Sequence, residues 1–233
     1  MRYIPIFLDV AGRECVIVGG GEVAARKAES LLEAGAHVTV VSPRLSPSME
    51  SIVAGGLATH VARDYQRGDI RGSILVYAAT DDAGVHRDLA AEARALGIPT
   101  NVVDVPELCT FIAPAVVKRG ALQIAISTSG ASPAFAARLR RQLENQFGAE
   151  YALTLEVMRA ARRRLHSEEI DPAERMRRLT DLANSALPDA IARADVVAID
   201  RILAAHLGKG VSLSNLGIDP SRFASAPTVD PIH

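Results

Sequence analysis

The sequence predicts an α/β fold in which a doubly wound parallel sheet is followed by a small α+β unit and then by a helical region. Three observations lead to this prediction. A glycine-rich turn at residues 19–24 joins an apolar run to a helical pattern. Short apolar runs then alternate with helical stretches as far as residue 103, which is typical of parallel strands connected by helices. Beyond residue 150 the apolar residues recur at helical spacing.

Length, charge and cysteine content indicate a globular enzyme. The 233 residues suffice for one large domain or two smaller ones. The net charge of -1 gives no global attraction to nucleic acid or to a membrane, and neither is an expected partner. Cys15 and Cys109 lack a metal or redox spacing, the histidines form no paired motif, and no resident metal is predicted. Because no signal peptide or membrane-spanning apolar run appears, a cytoplasmic protein is expected.

The first apolar run, residues 3–10, has the composition of a strand and turns at residues 11–13. Pro5 has no N–H group to donate within a sheet. The pattern therefore predicts an edge strand.

The next run enters the glycine-rich turn, which fits G-x-G-x-x-G/A through Gly19, Gly21 and Ala24. In such a motif Gly19 permits the tight turn, Gly21 lets a pyrophosphate approach the backbone, and Ala24 lets the helix pack closely on the strand. The anion then lies on the N–H groups of the first helical turn. Because a strand-like run precedes the motif and a helical pattern ending at Gly35 follows it, we predict a dinucleotide site.

The second strand, residues 37–41, ends where this type of fold contacts the adenosine ribose. The sequence there is Ser42-Pro43-Arg44. An acidic residue at this point would bind the ribose 2′-hydroxyl of NAD, whereas an arginine accommodates the 2′-phosphate of NADP. Spacing alone therefore leaves NADP open.

Three further runs, residues 58–62, 73–79 and 98–103, complete a Rossmann-type sheet, in which ligands collect at the carboxyl ends of the strands. Asp104 follows the last run directly and is therefore placed at this edge. The two aspartates at residues 81–82 are interpreted as caps of the next helix.

The pattern changes after residue 113. Two apolar runs, residues 115–118 and 122–127, are joined by Arg119-Gly120, which predicts an antiparallel hairpin. A helix follows, with Ser132 as its N-cap and Pro133 at its first position.

This helix carries two features of interest. Phe135, Leu139 and Leu143 recur at intervals of four and form an apolar stripe that could be an interface. The hydroxyl-rich loop before the helix, together with two arginines on a neighbouring face, would suit an anionic ligand. These candidate residues are Ser127, Thr128, Ser129, Arg138 and Arg141. A solvated basic face beside an ordinary cap is the alternative.

Three helices are expected in the remainder, over residues 151–165, 172–183 and 188–207. They carry a basic belt of seven arginines, Arg159, Arg162, Arg163, Arg164, Arg175, Arg177 and Arg178. Such belts are usually solvated helix faces. Residues 216–233 are rich in Pro, Ser and Ala and are predicted to form a flexible tail.

Six motifs together resemble the precorrin-2 dehydrogenase / sirohydrochlorin ferrochelatase family, which also forms the amino-terminal half of siroheme synthases. The motifs lie at residues 5–8, 18–28, 78–82, 101–106, 111–114 and 128–133, and the resemblance covers residues 3–145. Together with the residue pattern, it leads us to expect four parts, namely an NAD-binding Rossmann domain at 1–112, a dimerisation unit at 113–150, a helical domain at 151–215 and the tail at 216–233. It also implies a homodimer that exchanges residues 113–150.

The resemblance implies NAD-dependent oxidation of precorrin-2 to sirohydrochlorin and, in many members, insertion of ferrous iron to give siroheme. The family's NAD-contacting positions are Glu22, Val23, Pro43 and Arg44 in this chain. Family and spacing disagree over Arg44, and on the family's precedent we expect NAD.

Asp104 matches the family's catalytic aspartate. Oxidation of the macrocycle releases a proton with the hydride, and metallation releases protons from pyrrole nitrogens, so one carboxylate could be the base in both reactions. An ordinary turn aspartate before Val105-Pro106 is the alternative. Because the macrocycle is ringed by carboxylates, arginines that bind carboxylate bidentately are suitable substrate contacts, which favours Arg138 and Arg141.

Two other functions are consistent with the sequence. One is a dehydrogenase without chelatase activity. The other is a non-catalytic dinucleotide-sensing module, which would explain the glycines and the parallel sheet but not the motif at residues 101–106.

Overall fold

The computed structural model describes residues 3–223. The chain divides into two compact units, Met1–Ala113 and Pro114–His233. The predicted four-part division, with boundaries at residues 112, 150 and 215, stays a prediction.

The first unit is a parallel sheet with helices between its strands. The strands are β1 Glu14–Val18, β2 His37–Val41, β3 Ala58–Val61, β4 Leu75–Ala78 and β5 Thr100–Val102. The helices are α1 Glu22–Glu33, α2 Pro47–Ala54 and α3 Ala83–Leu96. The strand order is β3-β2-β1-β4-β5, and all neighbouring pairs are parallel. The order reverses between β1 and β4, which confirms the predicted doubly wound α/β sheet.

Both faces of this sheet are covered. Successive side chains of a strand point to opposite faces. Cys15 and Ile17 of β1 therefore pack in one apolar cluster with Ala24 of α1. Val16 packs in a second cluster with Leu89 of α3. Because each face has its own core, the central strands β1 and β4 are apolar on both faces from Cys15 to Val18 and from Leu75 to Ala78, instead of alternating.

The predicted edge strand at residues 3–10 is wrong. These residues form no strand, and Ile4, Ile6 and Phe7 are 82%, 71% and 70% exposed. The chain becomes buried only at Val10, just before the turn into β1. Both edges of β1 are already paired, with β2 and β4. Residues 3–10, although apolar, therefore cannot add a strand beside β1.

The second unit begins with the predicted hairpin, formed by β6 Ala115–Arg119 and β7 Leu122–Ile126 in antiparallel register. Its helices are α4 Pro133–Gln146, α5 Glu150–Ser167, α6 Pro172–Ala183, α7 Leu187–Ala192 and α8 Val196–Leu207. Arg119 is buried at the carboxyl end of α4, where its guanidinium donates to the carbonyls of Glu144 and Phe147. A cation at this end of a helix satisfies carbonyls that have no partner within the helix.

Two predictions for the second unit need correction. The single helix expected at residues 188–207 is two helices, because Ala194 adopts a left-handed φ of 56° and Asp195 caps a new helix by accepting from the Ala198 N–H. The predicted flexible tail is folded at least as far as Phe223, which is fully buried with Ile218 in the helical core. Residues 224–233 of that prediction lie outside the described residues.

Within residues 3–223, no helix combines the length and the apolar character needed to cross a membrane.

Candidate functional site

The turn after β1 is built on close backbone approaches. Gly19 has φ 119°, and a Cβ there would lie 2.1 Å from the carbonyl oxygen of Ala79, at the end of β4. A side chain at Gly20 would lie 2.1 Å from the carbonyl oxygen of Arg44. No role was expected for Gly20, because the motif accepts any residue at that position. The run of three consecutive glycines was the available signal.

Gly21 differs from its two neighbours. A Cβ there would meet no atom within 4 Å in the described part of the chain, and its φ of -78° is accessible to any residue. Gly21 is the N-cap of α1, and no side chain of residues 3–223 caps this helix. The first N–H groups of α1 therefore face open space. This arrangement suits an anion at a helix N-terminus.

Side chains of the first turn of α1 hold the helix in place. Ala24 is fully buried against the sheet, as the predicted role of a small residue requires. Val23 is half-buried. The Glu22 carboxylate accepts a hydrogen bond from the Ser48 hydroxyl at 2.8 Å. Hydrogen bonds from Ser48 and Ser46 lower the pKa of Glu22.

The segment after β2 lies against the glycine turn. The Ser42 hydroxyl donates to the Arg44 carbonyl at 2.7 Å, and the Ser46 N–H donates to the Gly20 carbonyl at 2.7 Å. Pro43 and the Arg44 side chain are exposed, and the guanidinium of Arg44 has no partner within residues 3–223. The backbone of this segment is thus fixed while the arginine side chain remains available to a ligand.

Asp104 lies at the same edge of the sheet, immediately beyond β5. The Val103 N–H donates to the Ala78 carbonyl at 2.9 Å, and the Val105 N–H donates to the Val102 carbonyl at 3.2 Å. This turn holds Asp104 at φ 60°, a left-handed conformation that aspartate tolerates better than most residues. Its side chain is exposed and has no hydrogen-bond partner among the described residues. Asp104 can therefore accept a proton from a ligand.

Two aspartates were interpreted as caps of α3, and this role is confirmed for Asp82. Its Oδ1 accepts from the N–H groups of Gly84 and Val85 at 2.7 and 3.1 Å. Asp81 contributes no bond to the cap of α3.

In the second unit, the hydroxyl-rich loop is ordered by its own side chains. Ser132 caps α4 by accepting from the Phe135 N–H, as predicted. The Thr128 hydroxyl accepts from the Ser132 N–H at 3.2 Å, and the Ser127 hydroxyl accepts from the Ser129 N–H at 3.0 Å. Ser129 has φ 52° and an exposed side chain. These hydrogen bonds order the loop and leave the Ser129 side chain exposed to solvent.

The arginines of α4 differ in their partners. Arg140 forms an ion pair with Glu144. Arg138 and Arg141 are exposed, and neither has a carboxylate partner in the part of the chain described. Phe135 is 48% exposed. The predicted substrate role of the arginines and the predicted interface on α4 are not decided by these contacts and stay predictions.

Comparisons with known proteins agree with this geometry. Residues 6–115 match the family described as "Putative NAD(P)-binding", and residues 119–146 match "Sirohaem biosynthesis protein central". The siroheme synthase of Methylobacillus flagellatus is 47% identical over 151 residues, which cover 65% of this chain and 32% of that protein. The siroheme synthase of Pseudomonas aeruginosa strain LESB58 is 36% identical over 214 residues, which cover 91% of this chain and 46% of that protein.

A solved structure titled "SirC, precorrin-2 dehydrogenase" shares the fold, with a TM-score of 0.70 and 24% identity over 87% of this chain and 98% of that chain. The chain spans about a third to a half of the length of the two siroheme synthases. These matches confirm the predicted resemblance. They also support a nicotinamide dinucleotide, NAD or NADP, as the type of cofactor for the first unit. The chain is similar to part of the siroheme synthases and contains, in this order, a match to an NAD(P)-binding family at residues 6–115 and a match to a sirohaem-biosynthesis family at residues 119–146.

Proposed function

We propose that this protein oxidises precorrin-2 to sirohydrochlorin with NAD, and that Asp104 is the general base. The observation that carries the proposal is the position of the Asp104 carboxylate. Gly19 abuts Ala79 beyond β4, and β5 lies beside β4. Adjacent parallel strands are about 4.8 Å apart, which puts Asp104 roughly 10 Å from the glycine turn along the sheet edge. A dinucleotide anchored at the turn spans such a distance.

The chemistry requires a base at this edge. When bound, the cofactor supplies a hydride acceptor. Oxidation of the macrocycle breaks one C–H bond as hydride and releases a second hydrogen as a proton. Asp104 accepts that proton, and the first turn of α1 holds the pyrophosphate through its N–H groups.

NAD is the cofactor that we propose, although Arg44 could accept the 2′-phosphate of NADP. Support comes from the family resemblance, in which the positions of Pro43 and Arg44 contact NAD. Faster turnover with NAD than with NADP is expected, and the reverse preference would show that the arginine selects NADP.

The second unit is proposed to bind the substrate's carboxylates and to form a homodimer. Ser127, Thr128, Ser129, Arg138 and Arg141 are the proposed substrate residues. A two-stranded hairpin is marginal by itself, and the β6–β7 sheet has no third strand within residues 3–223. Exchange of this region between two copies would extend it and would cover Phe135.

An anaerobic absorbance assay tests the function. Precorrin-2 and NAD should give the sirohydrochlorin spectrum together with NADH. A dinucleotide-sensing module would bind NAD and leave the tetrapyrrole spectrum unchanged. Addition of ferrous iron then separates a dehydrogenase alone from one that also makes siroheme.

A further inference from the structure

The structure divides the basic belt of the second unit into two groups. Arg177 and Arg178 both bind the Glu174 carboxylate, and their hydrogen bonds lower its pKa to about 2. Arg175 donates to the Leu165 carbonyl at the end of α5, and Arg164 pairs with Glu168. These four arginines have structural partners.

The other three, Arg159, Arg162 and Arg163, are exposed on α5 and have no carboxylate partner in residues 3–223. They lie at i, i+3 and i+4, so their Cα atoms span about 6 Å along the helix axis. The nearest acid on the preceding turn, Glu156, is held by both terminal nitrogens of Arg222. The three positive charges are therefore uncompensated.

An open surface cavity of about 300 Å³ adjoins this group. Of the three arginines, Arg163 lines it, together with Arg164, Ser167 and Asn215. The lining is mainly polar, with a smaller apolar part from Ala160 and Leu216. The Asn215 Oδ1 already accepts from the Ser212 hydroxyl at 2.6 Å, so the amide presents its N–H groups. The Ser167 hydroxyl donates to the Arg164 carbonyl. The polar groups that remain available are mainly donors, which favours an anion.

We propose that Arg159, Arg162, Arg163 and this cavity, here called the α5 anion site, bind peripheral carboxylates of the tetrapyrrole. The assignment rests on the proposed function. A single small anion bound in the cavity would leave Arg159 and Arg162 unused, whereas several carboxylates around one rigid body match a line of guanidiniums on one helix. Guanidinium binds carboxylate bidentately, which suits such a ligand.

The test uses uroporphyrin III, a stable porphyrin ringed by carboxylates, and follows its binding by fluorescence. The test variant is Arg159→Gln/Arg162→Gln/Arg163→Gln in the full chain. A control with the same change of charge is Arg193→Gln/Arg201→Gln/Lys209→Gln, which alters exposed cations elsewhere in the second unit. Each exposed pair is worth about 1.4- to 5-fold in affinity, so the loss of three pairs should weaken uroporphyrin binding by about 3- to 125-fold. The control should retain the wild-type affinity, and both variants should keep NAD binding and melting temperature.

Four results would count against the site. Equal uroporphyrin affinity in the test variant, with precorrin-2 oxidation intact in the wild type, would overturn the site and leave the function standing. Equal losses in both variants would show that only net charge matters. Displacement of uroporphyrin by an equal concentration of inorganic phosphate would indicate a site for one small anion. A wild-type protein that neither binds uroporphyrin nor oxidises precorrin-2 would contradict the proposed function as well.

Discussion

The glycine turn yields a prediction that separates a residue needed for folding from one needed for the cofactor. Gly20→Ala places a Cβ 2.1 Å from the Arg44 carbonyl oxygen and 2.8 Å from the Ser42 hydroxyl. Because the nearest atom belongs to the backbone, the segment after β2 must move. Overpacking of this kind costs about 1–3 kcal/mol. For a unit of this size, each kcal/mol lowers the melting temperature by about 4–8 °C.

Gly21→Val should leave the stability almost unchanged but weaken NAD binding. Its Cβ meets no described atom within 4 Å, and the extended backbone at φ -78° suits valine. The loss of a favourable N-cap residue and the reduced freedom of the unfolded chain offset each other, so stability should change by less than about 1 kcal/mol. The branched side chain nevertheless occupies the space in front of α1, where the pyrophosphate is proposed to bind. NAD affinity should fall at least about 100-fold, equivalent to about 2.7 kcal/mol.

Thermal unfolding and titration calorimetry with NAD measure the two effects. The reasoning fails if Gly21→Val is folded and binds NAD as the wild type does. It also fails if Gly20→Ala melts at the wild-type temperature, since the contact with the Arg44 carbonyl would then be unimportant. Gly56→Ala is unsuitable as a control, because the φ of 71° at Gly56 would strain alanine. ADP-ribose, which lacks only the nicotinamide ring of NAD, reports on binding of the rest of the cofactor.

Three further predictions concern assembly, stability and pH. Leu139→Glu should dissociate or unfold the proposed dimer, because it introduces a charge into the apolar stripe; sedimentation of an intact dimer with normal stability would argue against an interface there. Arg119→Met should lower the free energy of unfolding by about 2–3 kcal/mol, as measured in urea, because the carbonyls of Glu144 and Phe147 lose a buried donor. Burial raises the pKa of the Cys15 thiol to about 11. Because the unfolded thiol ionises from about pH 9 while the folded one keeps its proton, stability should fall between pH 9 and 11, and Cys15→Val should reduce that fall.

Much of the first unit follows from its sequence, because both faces of a buried parallel sheet require continuous apolar runs. The runs before Ser42 and Asp104 became β2 and β5, and the alternation of strands and helices limited the sheet to parallel arrangements with helical connections. The segment at residues 3–10 has the same composition, but both edges of β1, the strand that follows it, are already paired with β2 and β4. Pairing is a property of the assembled sheet, which a local pattern does not contain.

The glycine turn likewise contains one position whose role the sequence predicts and one whose role it does not. Gly19 could be assigned from the motif, since a tight strand-to-helix turn is a local feature. Gly20 could not, because the atom that excludes a side chain there is the Arg44 carbonyl, more than twenty positions further along the chain. The basic belt likewise looked uniform in sequence. Only the positions of the carboxylates in space distinguish Arg177, which is paired, from Arg162, which is not.

The most direct measurement is the turnover of Asp104→Asn in the anaerobic assay with precorrin-2 and NAD. Asparagine preserves the shape and tolerates the left-handed φ of 60°, but it removes the basic oxygen. NAD affinity and melting temperature should match the wild type, while oxidation should fall by a factor on the order of 10² or more. Near-normal oxidation by the folded variant would contradict the assignment of Asp104 as the base.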